Sequence, residues 1–377
     1  MPYVIINLRC RQYFTQKGLD KTKMSATIDQ TRPDQTATHG LKSFKEFLKR
    51  HDRFHIIFGA VRLLRATKNN TKRYIDGIRF DKKHTNPESS KHYDRIPYII
   101  PRESTDGGLF SFFNTILPGI AYADRKNYIP VVDLMNYPNT YLYPDEVGHV
   151  NAWEYYFEQP GGISVGDALS CREYIIGRDA HYWGWGVMTL LCDLDANRKK
   201  IEFWRKVCRK YIRFTRPVLE RVAEMEKKFA GRKILGVLVR GTDYVAMKPK
   251  HHAIPPTAEQ AIAKAKEVMS EKGFDSVYLA TEDKNILAKF QAAFKEKLLL
   301  PNADYLDYDY NDPKYIAYVS SDRENDKYLR GLEYLVSMLF LSKCPGLLAC
   351  VCGGAVVPVL FSEGFEYIHI FSLGVYP

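Results

Sequence analysis

Three short stretches of this 377-residue chain carry residue types suited to holding an anion. Arg240-Gly-Thr-Asp243, Thr281-Glu-Asp283 and Cys352-Gly-Gly354 each follow an apolar run of buried-strand length. In a parallel α/β sheet, ligands bind at the carboxyl ends of the strands, so three such ends in succession mark a candidate site. An arginine there offers a planar, permanently charged fork that matches phosphate oxygens two at a time. A glycine pair ahead of a helix exposes backbone N–H groups with no side chain in the way, and a helix start favours an anion. Arg240, Gly353 and Gly354 together read as a diphosphate cradle built without a P-loop. Singly, each has a plainer reading: a surface arginine after a strand, or a tight Gly-Gly turn.

The elements that must position these residues follow from apolar periodicity. Strands are expected at 98–100 and 129–133. Between them lie the Gly107-Gly108 turn and a helix over 109–123, a unit typical of parallel sheets. Residues 195–229 are nearly free of helix breakers and read as one or two long helices interrupted near Pro217, the natural domain boundary. Beyond it, strands at 234–239, 275–280, 346–351 and 367–371 alternate with helices at 257–272, 283–294 and 327–342. Gly353-Gly354 opens a last helix, and Thr281 or Glu282 is placed to cap the helix at 283. The expected fold class is therefore α/β, with doubly wound parallel sheets. Three segments are expected: a basic N-terminal extension, partly helical (1–93), an α/β domain with long linking helices (94–230) and a second α/β domain that carries the three strand ends (231–377).

Bulk properties narrow the class. A 45% hydrophobic, 26% charged chain of this length can bury two cores. Residues 1–100 hold 21 Lys+Arg against 9 Asp+Glu, while the rest holds 34 against 35, so the net charge of +11 belongs to the N-terminal segment. A nucleic-acid enzyme would carry its basic surface on the folded domains, so no nucleic-acid partner is expected. Residues 41–68 alternate apolar and basic positions. They read either as a segment lying on an anionic membrane or as a packed helix with a solvated basic face. With no apolar run of spanning length and no leader, a cytoplasmic address is expected. Seven scattered cysteines without C-x-x-C spacing fit small core residues in a reducing compartment. Asp307-Tyr-Asp309 has the spacing of a metal clamp, but no strand leads into it; an acidic, tyrosine-rich loop is the preferred reading, and no metal is expected.

Residues 236–243, His252-Ala-Ile254, residues 277–283, Leu329-Arg-Gly331 and Phe340-Leu-Ser342 occur in an order that resembles the α1,6-fucosyltransferase, nodulation-fucosyltransferase and protein O-fucosyltransferase superfamily. The resemblance covers roughly residues 234–356 and is fainter at Gly107-Gly108, where the family has a glycine-rich acceptor-side loop. It implies a GT-B fold, two Rossmann-type domains facing a cleft, and metal-independent, inverting transfer of fucose from GDP-fucose. Arg240 then resembles the arginine on the donor β-phosphate, Asp243 the acid orienting that loop, and His252 the histidine that follows it. Thr281, Glu282 and Asp283 resemble the Thr-Asp-Asp turn near the donor, and Gly353-Gly354 falls where the family has Ser-Gln. Four positions depart from the pattern. The second arginine is Gly241, the carboxylate five residues past the aspartate is Lys248, the histidine two before the arginine is Leu238, and the guanine-reading acid is Ser337, with Glu333 one turn earlier able to compensate.

Inversion needs a base for the acceptor hydroxyl and a stabilised leaving diphosphate. Asp243 ranks first as base and Glu282 second; either also reads as a salt-bridge partner of Arg240. The expected partners are a nucleotide-sugar donor, GDP-linked as the resemblance implies, and a glycan acceptor, with no other cofactor. Trp153, Tyr155, Tyr156, Trp183 and Trp185 could stack on the acceptor or fill the core. Two rivals stand: a catalytically silent nucleotide-sugar-binding or scaffold protein, and a basic nucleic-acid-binding protein.

Overall fold

A computed structural model describes residues 81–103, 107–184, 186–301, 308–319 and 321–377. The basic segment 41–68, Trp185 and Asp307 lie outside the described residues, and so do the readings placed on them. Residues 82–377 belong to one compact unit.

The larger sheet grows from three five-residue strands with every residue buried: β5 (Ile234–Leu238), β6 (Ser276–Ala280) and β8 (Gly346–Cys350). Runs apolar on both faces need cover on both faces, the condition of a parallel sheet. The sheet is all-parallel, ordered β7-β6-β5-β8-β9, with β7 at Leu298–Leu299 and β9 at Tyr367–Phe371. Side chains alternate between its faces. Leu235, Val237 and Val239 enter one apolar cluster with Ala261 and Ala265 of α6 (Ala258–Lys272) and Phe290 of α7 (Lys284–Phe294). Ile234 and Leu238 turn the other way, toward Leu335 and Leu339 of α8 (Asp326–Leu341) and Val357 of α9 (Val356–Phe361).

The smaller sheet runs β1-β4-β2-β3. β2 (Pro97–Pro101) pairs in parallel with β3 (Ile129–Asp133) and with β4 (Glu173–Ile176), whereas the edge strand β1 (Lys82–Thr85) is antiparallel to β4. Helix α1 (Leu109–Arg125) makes the crossover from β2 to β3 and covers one face; α2 (Val165–Leu169), started by a Ser164–Asp167 capping box, covers the other. The architecture is thus α/β with helices on both faces of both sheets. Helices α3 (Arg198–Tyr211) and α4 (Arg216–Lys228) join them, and one apolar cluster extends from Tyr98 in β2 to Leu360 in α9.

Several expectations are refined. The break between α3 and α4 falls at 212–215, and Pro217 sits in the first turn of α4, where its missing N–H is harmless. The cap of α7 is Asp283 rather than Thr281 or Glu282, since its Oδ1 accepts from Asn285 N at 2.8 Å and Ile286 N at 3.2 Å. Gly353-Gly354 lies in the turn before a helix of only six residues. β1, β4, β7 and α5 (Thr242–Met247) were not anticipated. Among the described residues, no helix is long and apolar enough to cross a membrane.

The join between the sheets can be tested at Gly331 of α8. A Cβ there would overlap the ring and hydroxyl of Tyr156, which is buried and donates to Tyr328 O at 2.9 Å. Gly331→Ala should lower stability by about 1–3 kcal/mol, the usual overpacking cost. An unchanged urea midpoint would show that Tyr156 is not wedged against α8.

Candidate active site

The chain leaves β5 through Val239 and places Arg240 at the sheet's carboxyl edge, 8% exposed. Its Nη2 donates to Asp243 Oδ1 at 2.8 Å, its Nη1 lies 3.3 Å from Glu282 Oε1, and the guanidinium sits 4.9 Å over the Tyr244 ring. Burial alone would pull the arginine's pKa down; Glu282 and Asp243 more than offset it and hold the cation. Burial also pushes the Glu282 carboxyl above the usual glutamate value, a shift that Arg240 limits without reversing. A partly buried carboxyl with a raised pKa beside a fixed cation is a common signature of acid–base chemistry.

The backbone between these groups is under strain. Thr242 is β-branched, fully buried and left-handed at φ 43°, a conformation such residues avoid. Neighbouring carboxylates hold it there: its N–H donates to Asp283 Oδ2 at 3.1 Å and its hydroxyl to Glu282 Oε1 at 3.0 Å. Gly241 N–H donates to Glu282 Oε1 at 3.1 Å, and a Cβ at Gly241 would overlap Asp283 Oδ2. Glycine at 241 therefore has a local cause, the close approach of Asp283. Tyr310 donates its hydroxyl to the same Asp283 oxygen. Asp243 is closed too, because Oδ1 also accepts from Tyr244 N at 2.9 Å and Oδ2 from Ile316 N at 3.2 Å.

From β8 comes the third edge. Cys350 and Cys352 are buried free thiols, as core residues should be, and the Arg240 charge reaches both. Gly353 O accepts from Asn114 Nδ2 of α1 at 3.2 Å. A Cβ at Gly354 would overlap the Tyr334 hydroxyl of α8, and the Tyr334 ring meets Phe110 of α1 edge-on at 4.6 Å. Arg240 in turn acts electrostatically on Tyr334. The start of α1 is set by Gly107, at φ 114°, whose carbonyl accepts from Thr140 Oγ1, and by Tyr141, whose hydroxyl accepts from Leu109 N at 2.6 Å. The ends of β5, β6 and β8 and the first turn of α1 thus meet around Arg240 and Tyr334.

The structure brings together Arg240, Asp243, Glu282, Asp283 and, through its hydroxyl accepting from Asp283 N, Thr281. Gly353 and Gly354 stand beside them across Tyr334. His252 lies at the rim, its ring 5.6 Å from Tyr244, and its carbonyl is tied to Tyr376 N. Glu333 is turned to another purpose: both oxygens are held by Arg323, at 2.9 and 3.0 Å. Ser337 shares a 2.8 Å bond with Tyr278. Trp153 is corrected from acceptor rim to core; it is 1% exposed, stacked on Phe157 at 4.3 Å, and donates Nε1 to Glu158 O. Tyr156 is likewise buried. Thr242, Tyr244, Tyr310 and Tyr334 were missed. Only Tyr310 had a signal, its place in the acidic tyrosine run. Among the described residues, no group of three His, Cys, Asp or Glu is arranged to hold a metal ion.

Searches of family models and of curated proteins return no match for the chain. Among solved structures, it is similar to the fucosyltransferase NodZ from Bradyrhizobium, at 14% identity and a TM-score of 0.44 over 74% of this chain and 96% of that one. It is similar also to NodZ α-1,6-fucosyltransferase soaked with GDP-fucose (15%, 0.42, 72% and 96%) and to apo POFUT1 (11%, 0.44, 75% and 99%). These are likenesses of overall chain course at low identity, and the site stands on its own geometry.

The raised carboxyl gives a signed prediction. Because the folded state favours protonated Glu282, its ionisation costs stability as pH rises from the ordinary 4.5 through the raised value. Wild type should therefore lose stability relative to Glu282→Gln across that window, measured by urea unfolding from pH 4.5 to 8. A stability difference independent of pH would contradict the assignment.

Proposed function

We propose that this chain is an inverting, metal-independent glycosyltransferase that moves a sugar from a nucleoside diphosphate to a glycan hydroxyl; its motifs resemble those of enzymes that use GDP-fucose. The observation that carries the reading is the buried, charged Arg240 at the junction of three strand ends, with one carboxylate locked and the other raised.

The leaving diphosphate gains charge as the glycosidic bond breaks, so a preorganised cation is worth most in a dry site. Arg240 supplies it, and the Gly353-Gly354 turn approaches from β8 with the Tyr334 side chain packed on Gly354. A bound β-phosphate replaces Glu282 at Nη1, the longer of the guanidinium's two carboxylate contacts, and leaves Asp243 to orient Nη2. Glu282, in its ionised form and more basic than an ordinary glutamate because of its burial, is released from that pairing and takes the acceptor hydroxyl's proton as the hydroxyl oxygen bonds the sugar's anomeric carbon and the bond from that carbon to the phosphate oxygen breaks. Asp243, with both oxygens occupied by hydrogen bonds, is a positioning residue, and Asp283 shapes the loop through Thr242 and the cap of α7. In this reading residues 231–377 hold the donor and residues 94–230 the acceptor side. A silent nucleotide-sugar-binding protein is the second reading, favoured by Lys248. It occupies the family's carboxylate position and sits exposed at the left-handed end of α5.

Arg240→Ala would leave the buried Asp243 and the partly buried Glu282 without their cation, so Arg240→Lys is the cleaner probe. It keeps the charge and loses the fork. Transfer, assayed with GDP-, UDP-, CDP- and dTDP-sugars, should fall about 10²–10³-fold, with thermal stabilisation by the cognate nucleoside diphosphate weakened in parallel. Wild-type rates in the lysine variant would remove Arg240 from the site; diphosphate binding without turnover by wild type would favour the silent protein.

A further inference from the structure

A cavity of about 530 Å³ lies between the loop after β3 and the start of α8. That volume falls in the range of small-molecule sites, about 300–1,000 Å³. Tyr143 contributes to its wall from the first loop and Tyr318 from the segment ahead of α8, and both are exposed. Lys327 and Arg330 also line it. This cavity adjoins the Arg240 cluster through one stretch of chain: Ile316 N is bound by Asp243, and the next residue, Ala317, lines the cavity and accepts from Arg330 Nη1 at 3.3 Å. It adjoins the start of α1 as well, because Thr140, another wall residue, is bonded to Gly107.

The wall charges do not balance. Among the described residues, Asp326 is the one carboxylate lining the cavity, and it already binds both Arg323 and Arg330. Lys327 donates to Leu142 O and lies 4.9 Å over the Tyr143 ring, with no carboxylate in ion-pair range among the described residues. Arg330 keeps a buried Nε without an acceptor. Two tyrosines suit the apolar face of a pyranose ring, and surplus positive charge suits a carboxylate on it.

We infer that this cavity is the acceptor subsite and that it takes an acidic saccharide, a pyranoside carrying a carboxylate, seated between Tyr143 and Tyr318 with its charge on Lys327. The assignment rests on the glycosyltransferase reading above for the word acceptor, but the binding itself does not. Titration calorimetry of the full chain, without any donor, should use three probes: a glucuronate-containing tetrasaccharide, its carboxyl-reduced counterpart, and GDP. The acidic sugar should bind at least about tenfold tighter than the reduced one. Lys327→Met should abolish that preference, and Tyr318→Ala should weaken both sugars about tenfold, the scale of a stacking contact of roughly 1.4 kcal/mol. Equal affinity for the two sugars, no binding of either, or competitive displacement of the sugar by GDP would overturn the inference. Sugar binding that survives while Arg240→Lys retains full transfer would count against the donor site and leave this one standing.

Discussion

A guanidinium taken out of water at a strand end must be matched by anions, and Arg240 sets that condition for the whole sheet edge. Two carboxylates from different elements answer it, Asp243 from the helix that follows and Glu282 from the end of β6. Bringing them in forces the chain between to turn sharply, which places Thr242 in a left-handed conformation and leaves room only for glycine at 241. Asp283 then serves twice, capping α7 with one oxygen and holding Thr242 N with the other. A buried ion cluster is a poor source of stability, since desolvation opposes the Coulomb gain. Strain and buried charge at the one edge where parallel sheets bind ligands point instead to a role in recognition and chemistry.

The same edge fastens the two sheets. Tyr334 of α8 fills the space that a side chain at 354 would need and lays its ring against Phe110, so the turn after β8 and the start of α1 share one contact. One turn earlier on α8, Arg330 lines the cavity, and Ile316, bound to Asp243, directly precedes the wall residue Ala317. The charge cluster around Arg240 and the cavity are therefore linked by one short stretch of chain, Ile316 to Ala317.

Much of this was legible from the chain alone because the central strands are buried on both faces and end abruptly. Residues 129–133 and 367–371 emerge as strands with the bounds that their apolar runs suggest. The meeting of Arg240 with Glu282 and Asp283 followed from strand ends lying side by side. What escaped has physical causes. β7 has two residues and β1 is an exposed edge, so neither carries a burial signal. Asp283, not its neighbours, caps α7 because the cap's side-chain reach depends on backbone direction, which spacing does not encode. Glu333 reads as a donor residue only from its place one turn before Ser337, and its real partner, Arg323, stands ten residues away on a segment without periodicity. Trp153 had the composition of a binding rim and the packing of a core, and only three-dimensional contacts separate those. The strain at Thr242 leaves no mark in sequence at all.

The most direct measurement is a structure of the full chain with the nucleoside diphosphate that it binds. A β-phosphate oxygen should lie within hydrogen-bond distance of Arg240 Nη1, with Glu282 swung off that nitrogen and Asp243 still on Nη2. A diphosphate seated instead against Lys327 and Arg330, with the Arg240–Glu282 contact intact, would contradict the account.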